Sequence, residues 1–368
     1  MEFEIQIFET PEKDLEVMWS KLETNGDYYV FQSYEWFKNW HQIYFKKNKN
    51  FHLRISVIKY KSKVICILPF QIEKKLGLNI LRWVGDEELD YCSPILDKSF
   101  EFSEENFKEI LKKVFSKLER VDILKLIRQP KKINNLTNPF ILYLPNYFDS
   151  KSYFVSLPAK WKDYENSVIK KDFKSQNKRK KKALKKSGKL RYKIFKNKNE
   201  IIKVLKDLFE QKNTRLSLKK SKTLFQKNDY DFYDSICRSE EKTFQAHLSS
   251  LELDEKILAM HLGIIHNKRF YYLILSMGED FEKYSPGRIL ISLLIKWSIS
   301  KKLKFFDFTL GDESYKKSWS NDSSEYFNHI SSKSFLGLIF VFLFKLKYLI
   351  KNYDKNKKFI KIIKKIKN

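Results

Sequence analysis

The sequence predicts an α/β fold with mixed sheets, built as two similar halves, and three observations carry that prediction. Strand-length apolar runs come in hairpin pairs, a helix then leads to a further short apolar strand, and this plan occurs twice along the chain. A chain of 368 residues is long enough for two domains. Its 42% hydrophobic and 16% aromatic content is that of a globular protein rather than a disordered one. The expected division is residues 1–150, residues 151–330 and a basic amphipathic tail over 331–368.

In the first half, Trp36, Trp40 and Tyr44 recur at helical spacing and read as core anchors. Strands follow around His52 to Tyr60, Lys63 to Gln71 and Leu78 to Val84, then a helix from Ser103 to Leu118 and a strand from Asp122 to Ile127. The second half repeats the plan with helices over Trp161 to Lys186, Glu200 to Thr214 and Phe232 to Glu241. Strands then follow at Phe244 to Leu253, Ile257 to Ile265 and Phe270 to Ser276. Asp254 and Glu255 make the turn of the first hairpin, and the strand after it alternates through Ile257, Ala259, His261 and Gly263 on one face.

The stretch Tyr284 to Trp319 carries the densest chemistry. Ser285 is placed to cap a helix whose first position is Pro286, where a missing N–H costs nothing. Gly287 leaves the backbone open to a phosphate at the positive end of the helix, and Arg288 adds a charged donor. Ile289, Leu290, Leu293, Leu294 and Trp297 make one face of that helix core. Asp307 lies inside the apolar strand Leu303 to Leu310. A buried acid there needs a loop amide or a partner such as Lys316 if it is not catalytic. Gly311 ends the strand, and Asp312, Glu313, Tyr315 and Lys316 crowd the next turn. Lys316 is suited to a phosphate or an acyl oxyanion, and Tyr315 to protonating a leaving thiolate.

The motifs SPGRILISLLIKW and DFTLGDESYKKSW, with FQSYEWFKNW and ILPFQIEKKLGLNILRWVGDEELDYCSPIL in the first half, resemble those of the CelD-like acetyltransferases. That family is a branch of the GNAT superfamily, similar in architecture to the Fem-type aminoacyltransferases. The resemblance covers roughly residues 25–325. It implies a tandem double GNAT fold and an N-acyltransferase that moves an acyl group from acetyl-CoA or another acyl-CoA to an amine. The acceptor it implies is an amino sugar or lipid-linked precursor of a surface polysaccharide. Ser285, Pro286, Gly287 and Arg288 would then bind the cofactor. Asp307, Glu313 and Tyr315 would be catalytic, and Asp312, Lys316 and His261 would contact substrate, with the strand carrying His261 beside the thioester. An aminoacyl-tRNA-dependent transferase of the Fem type keeps the same fold with another donor. A basic membrane-surface or nucleic-acid-binding protein on a degenerate fold is the non-enzymatic alternative.

The net charge of +28 is concentrated. Lys170 to Lys196 holds 14 basic residues and one acid, and Lys345 to Asn368 holds 10 and one. Few aromatics, Phe173 and Tyr192 among them, interleave with the first run, which disfavours nucleic acid stacked as a single strand and favours an acidic acceptor, a phosphate-bearing cosubstrate or anionic lipid. Phe335 to Phe344 is ten apolar residues, too short to span a bilayer about 30 Å thick but suited to an interfacial helix on an anionic membrane. An acidic N-terminus without an apolar leader, and Cys66, Cys92 and Cys237 far apart, predict a cytoplasmic protein, peripheral on the inner membrane face. His261 and His266 fall on opposite strand faces, and no metal site is expected.

Overall fold

The computed structural model describes residues 2–218, 220, 224–239, 243–278 and 280–343. The first half runs β1 (Phe3–Phe8), α1 (Lys13–Asn25), β2 (Gly26–Asp27), α2 (Tyr34–Ile43), β3 (Phe51–Tyr60), β4 (Lys63–Lys75), β5 (Leu78–Trp83), β6 (Ile95–Asp97), α3 (Glu104–Lys117) and β7 (Ile123–Pro130). A small hairpin, β8 (Lys132–Ile133) and β9 (Leu136–Thr137), and α4 (Pro139–Tyr143) lead into the second half. That half runs β10 (Tyr147–Ser156), α5 (Trp161–Ser167), α6 (Lys171–Lys185), β11 (Leu190–Phe195), α7 (Lys198–Leu218) and α8 (Lys227–Arg238). It continues through β12 (Gln245–Leu253), β13 (Lys256–His266), β14 (Arg269–Met277), α9 (Pro286–Ser300), β15 (Phe305–Leu310), α10 (Ser314–Lys317) and β16 (Asp322–Ser332).

One mixed sheet joins both halves, in the order β1-β3-β4-β5-β7-β16-β10-β15-β14-β13-β12-β11. Each half has antiparallel strands ending in a parallel pair made by a helical crossover. β5 pairs with β7 across α3, and β14 pairs with β15 across α9. The seam is made by β16, which runs antiparallel to β7 on one side and to β10 on the other. Sequence periodicity did not reveal β16, because its polar run of Ser, Asn and Glu lacks the apolar alternation that marks a half-buried strand. β1, β10 and β11 were also not anticipated.

The helix expected over Trp161 to Lys186 divides into α5 and α6. The break falls where the chain turns inward to bury Ile169, so that the basic α6 is a separate element. Helix α8 begins earlier than expected, at a reciprocal cap in which Gln226 and Asp229 satisfy each other's backbone N–H. Trp36 and Trp40 are buried in the first-half core, as their spacing implied. Helix α9 buries Ile289, Leu290 and Leu294 as anticipated but leaves Leu293 and Trp297 only partly buried, and it also buries Ile291, Ile295 and Ile299, because it packs on the sheet and lies against α6.

Asp307, midway along β15, organises the parallel pair. Its carboxylate accepts hydrogen bonds from the Tyr91 hydroxyl (2.7 Å), the Arg269 guanidinium (2.9 Å) and the Thr309 N–H (2.9 Å). Arg269, on β14, is the ionic partner; Lys316 is not. Thr309 takes a left-handed φ of 57°, costly for a β-branched residue, and the bond to Asp307 helps hold it. Replacing Asp307 with Ala strands the nearly buried Arg269 charge. A loss of about 3–5 kcal/mol in urea-unfolding stability is expected, and an unchanged midpoint would refute this role.

Candidate active site

β14 and β15 are in register at only three positions, Arg269 with Phe305, Phe270 with Phe306 and Tyr271 with Asp307. Beyond these the strands are no longer paired, and a cleft of about 580 Å³ lies between their carboxyl ends. Leu275 and Met277 line one side and Phe308 to Leu310 the other. The start of α9 closes one end, and the loop bearing Glu313, Tyr315 and Lys316 lies along the rim.

The start of α9 differs from the expected cap. Ser285 sits at φ 52°, ψ 61°, and its hydroxyl accepts a bond from Lys180 Nζ (2.6 Å) instead of capping the helix. The Ser285 carbonyl takes the N–H groups of Arg288 and Ile289, Pro286 has none to give, and the N–H of Gly287 has no helical acceptor. Glycine at 287 also keeps the approach to β14 free: a Cβ there would lie 2.3 Å from Met277 Sδ, so a larger residue would have to push that side chain aside. Arg288 stacks on Phe173, with its guanidinium 4.0 Å from the ring centroid. Its Nε and Nη2 are buried without a hydrogen-bond partner among the described residues. Burial lowers its pKa, as for a cation lacking a counter-charge.

Two basic residues of α7 complete this end of the cleft. Lys212 donates to the Leu275 carbonyl (2.9 Å), and Arg215 pairs with Glu282 (2.8 Å). Nothing in the sequence singles them out in a chain with 73 lysines and arginines.

On the opposite rim, the Lys316 ammonium is buried, donating to the Leu310 carbonyl (2.5 Å) and pairing with Glu313 (2.9 Å). Tyr315 is half-buried, and burial, followed by the charge of Glu313, raises its pKa, so it stays protonated. Asp90 also lines the cleft, although it belongs to the first half. Burial raises its pKa, with the charges of Arg128 and Lys316 opposing and that of Asp307 adding. In the sequence it lies inside the motif ending DYCSPIL, where nothing separates it from a structural acid.

Three expected site residues lie elsewhere. Asp307 does not line the cleft, because its carboxylate is held beneath the floor by Arg269 and Tyr91. Asp312 points away on the surface, bonded to the Tyr153 hydroxyl (2.5 Å) and to Lys317 (2.9 Å), which lower its pKa. His261 is fully buried, its ring stacked 4.2 Å from that of Tyr272, and burial holds its pKa well below the usual histidine range. Its strand, β13, is paired on both sides, by β12 and β14, so the strand edge that faces the cleft is that of β14.

Residues 171–317 match the model of the acetyltransferase (GNAT) domain. The fold is similar to that of FemX, with 13% identity, 89% of this chain and 97% of FemX covered and a TM-score of 0.59. It is similar also to L-PGS from Bacillus licheniformis (11% identity, 93% and 98% covered, TM-score 0.53). A tandem GNAT protein from the clavulanic acid biosynthesis pathway gives 8% identity, 90% and 99% coverage and a TM-score of 0.50. No curated protein sequence matches this chain. Residues 171–317 therefore match a GNAT acetyltransferase domain, set within a tandem GNAT fold.

Proposed function

We propose that the protein transfers an acyl group from acyl-CoA to an amine, with the pyrophosphate of the donor at the turn Ser285–Arg288. The observation that carries this reading is the Arg288 guanidinium, with Nε and Nη2 buried without a hydrogen-bond partner among the described residues, beside an uncapped helix start at the end of a cleft between splayed strands. The residues fit such a donor. The N–H of Gly287, Arg288, Lys180 and Lys212 would hold its phosphates, and the apolar wall of Leu275, Met277 and Phe308 would hold its thioester arm.

The chemistry asked of the protein is proton management. The attacking amine must lose a proton, and Asp90, a carboxylate with a raised pKa, is better matched to that task than the exposed Glu313. Lys316 is placed to steady negative charge on the acyl oxygen, and Tyr315 to give a proton to the leaving thiolate. No covalent acyl-enzyme is required. Asp307 acts here as a positioning residue, through Arg269 and Tyr91.

The acceptor reading is an amino sugar or lipid-linked precursor of a surface polysaccharide, met at an anionic membrane. A helix over 335–343 supports the membrane part: Val341 packs on Leu78, Ile80 and Ile123, while Phe335 (76% exposed), Leu338 (54%) and Phe342 (63%) stand in solvent. No helix among the described residues is long and apolar enough to cross a membrane. The lysine-rich sequence 345–368, outside the described residues, would add about 1 kcal/mol per lysine near anionic headgroups.

Calorimetry should show CoA binding that weakens about ten-fold or more in Arg288→Ala. Absence of CoA binding together with salt-sensitive RNA binding would instead favour an aminoacyl-tRNA-dependent enzyme. For Asp90 the sign is fixed: the base must be ionised, so the acid limb of kcat/KM lies above the ordinary carboxylate range and disappears in Asp90→Asn. A carboxyl with a raised folded-state pKa loses stability as pH rises through that pKa, so Asp90→Asn is expected to be slower yet more stable at neutral pH. A slow variant of unchanged acid limb would remove Asp90 from the mechanism. Flotation with anionic vesicles tests the tail: Phe335→Glu/Leu338→Glu/Phe342→Glu should leave the protein unbound at unchanged melting temperature, and continued flotation would exclude this face.

A further inference from the structure

A second cavity, of about 340 Å³, lies between α6 and α9, and Arg288 lines both it and the cleft. Along α6, Lys174, Asn177, Lys178 and Lys181 recur at i, i+3, i+4 and i+7, so they share one helix face, and all four line this cavity. From α9, Arg288 and Lys296 face them. These five cations meet a single carboxylate, Glu165, which is paired with Lys174 (2.7 Å). Among the described residues Lys178, Lys181 and Lys296 have no acidic partner. Apart from Ser292, the remaining lining is apolar, with Ile169, Ile289, Leu293 and the two tryptophans Trp161 and Trp319.

A basic helix face turned toward solvent would need no explanation. This one borders another cationic element: Lys174 and Lys181 are partly buried while Lys178 and Lys296 remain exposed, so like-charge repulsion opposes the arrangement and the partly buried ammonium groups also lose hydration. Burial, and after it the charges of Lys185 and Lys296, lowers the pKa of Lys181. Independently, Nε and Nη2 of Arg288 are buried with no hydrogen-bond partner among the described residues. A guanidinium fork with several ammonium groups around it suits a multiply charged tetrahedral oxyanion better than a planar carboxylate.

We infer that this cavity is a second anion subsite, which takes a phosphate group of a substrate and shares Arg288 with the acyl-transfer cleft. The inference builds on the acyl-CoA reading of the cleft, and it locates a binding role for the basic face of α6. The phosphate has two possible sources, the 3′-phosphate of the CoA donor or a phosphate of the acceptor.

Pyrophosphate, CoA and dephospho-CoA are the probes, titrated calorimetrically against the full-length protein at fixed ionic strength. Three proteins are compared: wild type, the cavity variant Lys178→Ala/Lys181→Ala/Lys296→Ala, and a control that removes equal charge from the exposed side of α6, Lys171→Ala/Arg179→Ala/Lys182→Ala. The cavity variant should lose pyrophosphate affinity about ten-fold or more while the control retains it. If the donor supplies the phosphate, the cavity variant also weakens CoA but not dephospho-CoA, and CoA blocks pyrophosphate. If the acceptor supplies it, both CoA forms bind the variant normally, and pyrophosphate still binds wild type saturated with CoA. Equal pyrophosphate affinity in all three proteins, or equal weakening in variant and control, overturns the subsite. Wild type that binds pyrophosphate in the cavity but does not bind CoA would retain the subsite and reject the acyl-CoA reading.

Discussion

The ion pair of Asp307 with Arg269 is the constraint on which the site depends. Two neighbouring parallel strands gain by pairing along their whole length, yet a cleft for an extended donor requires them to part. Here pairing stops at Tyr271 and Asp307, where the buried carboxylate meets Arg269 of the adjacent strand. The next step of β15, at Thr309, is left-handed and is held by the same carboxylate. One acid thus marks the last paired position and the bend beyond it. Because its third partner is Tyr91, the residue after Asp90, it also ties to the floor the first-half loop that brings Asp90 to the rim.

The two halves repeat one plan, yet only the second opens a cleft at its parallel pair. Both halves make a parallel pair through a crossover helix, but the helix starts differ. In α3 the Ser103 hydroxyl accepts the N–H of Asn106 (3.2 Å), so that helix satisfies its own amide. In α9 Ser285 is left-handed, its hydroxyl is engaged by Lys180, and no side chain caps the helix. At the end of the first pair, Arg82 is buried among Glu73, Asp86 and Glu87, an acid-rich setting unsuited to phosphate. The first copy contributes to the site through its loop, while the second supplies the opening.

The fold was legible in the sequence wherever burial imposes a period. Hairpins, crossover helices and the apolar face of α9 follow from alternation and helical spacing, and the residue pattern of Ser285 to Arg288 marked the helix start. What the sequence could not convey was contact between distant segments. Asp307 reads equally well as a base or as a structural acid until Arg269 and Tyr91 are seen beside it, 38 and 216 residues away along the chain. Asp90 and Lys212 are ordinary residue types in unremarkable positions, brought to the cleft only by the sheet order. His261 misleads for the opposite reason: alternation places it on a strand face, but does not reveal that the rings of Phe270 and Tyr272 on β14 enclose it away from the cleft.

The charge distribution follows the same logic of paired requirements. A protein at +28 repels itself, and scattering those charges over the surface would minimise the repulsion. Instead, 14 basic residues are gathered between Lys170 and Lys196, and the helix that carries most of them is packed against another helix bearing Arg288 and Lys296. Lysines spread over the surface would not have to border another cationic helix, and an arginine needed only for packing on Phe173 would not leave two donors buried without a partner among the described residues. Both conditions are met together if the fold is completed by anions, so the cost of gathering the cations is recovered when substrate binds. The apo protein is then less stable than its complexes, and binding of a phosphate-bearing substrate should tighten α6 against α9 as well as fill the cleft.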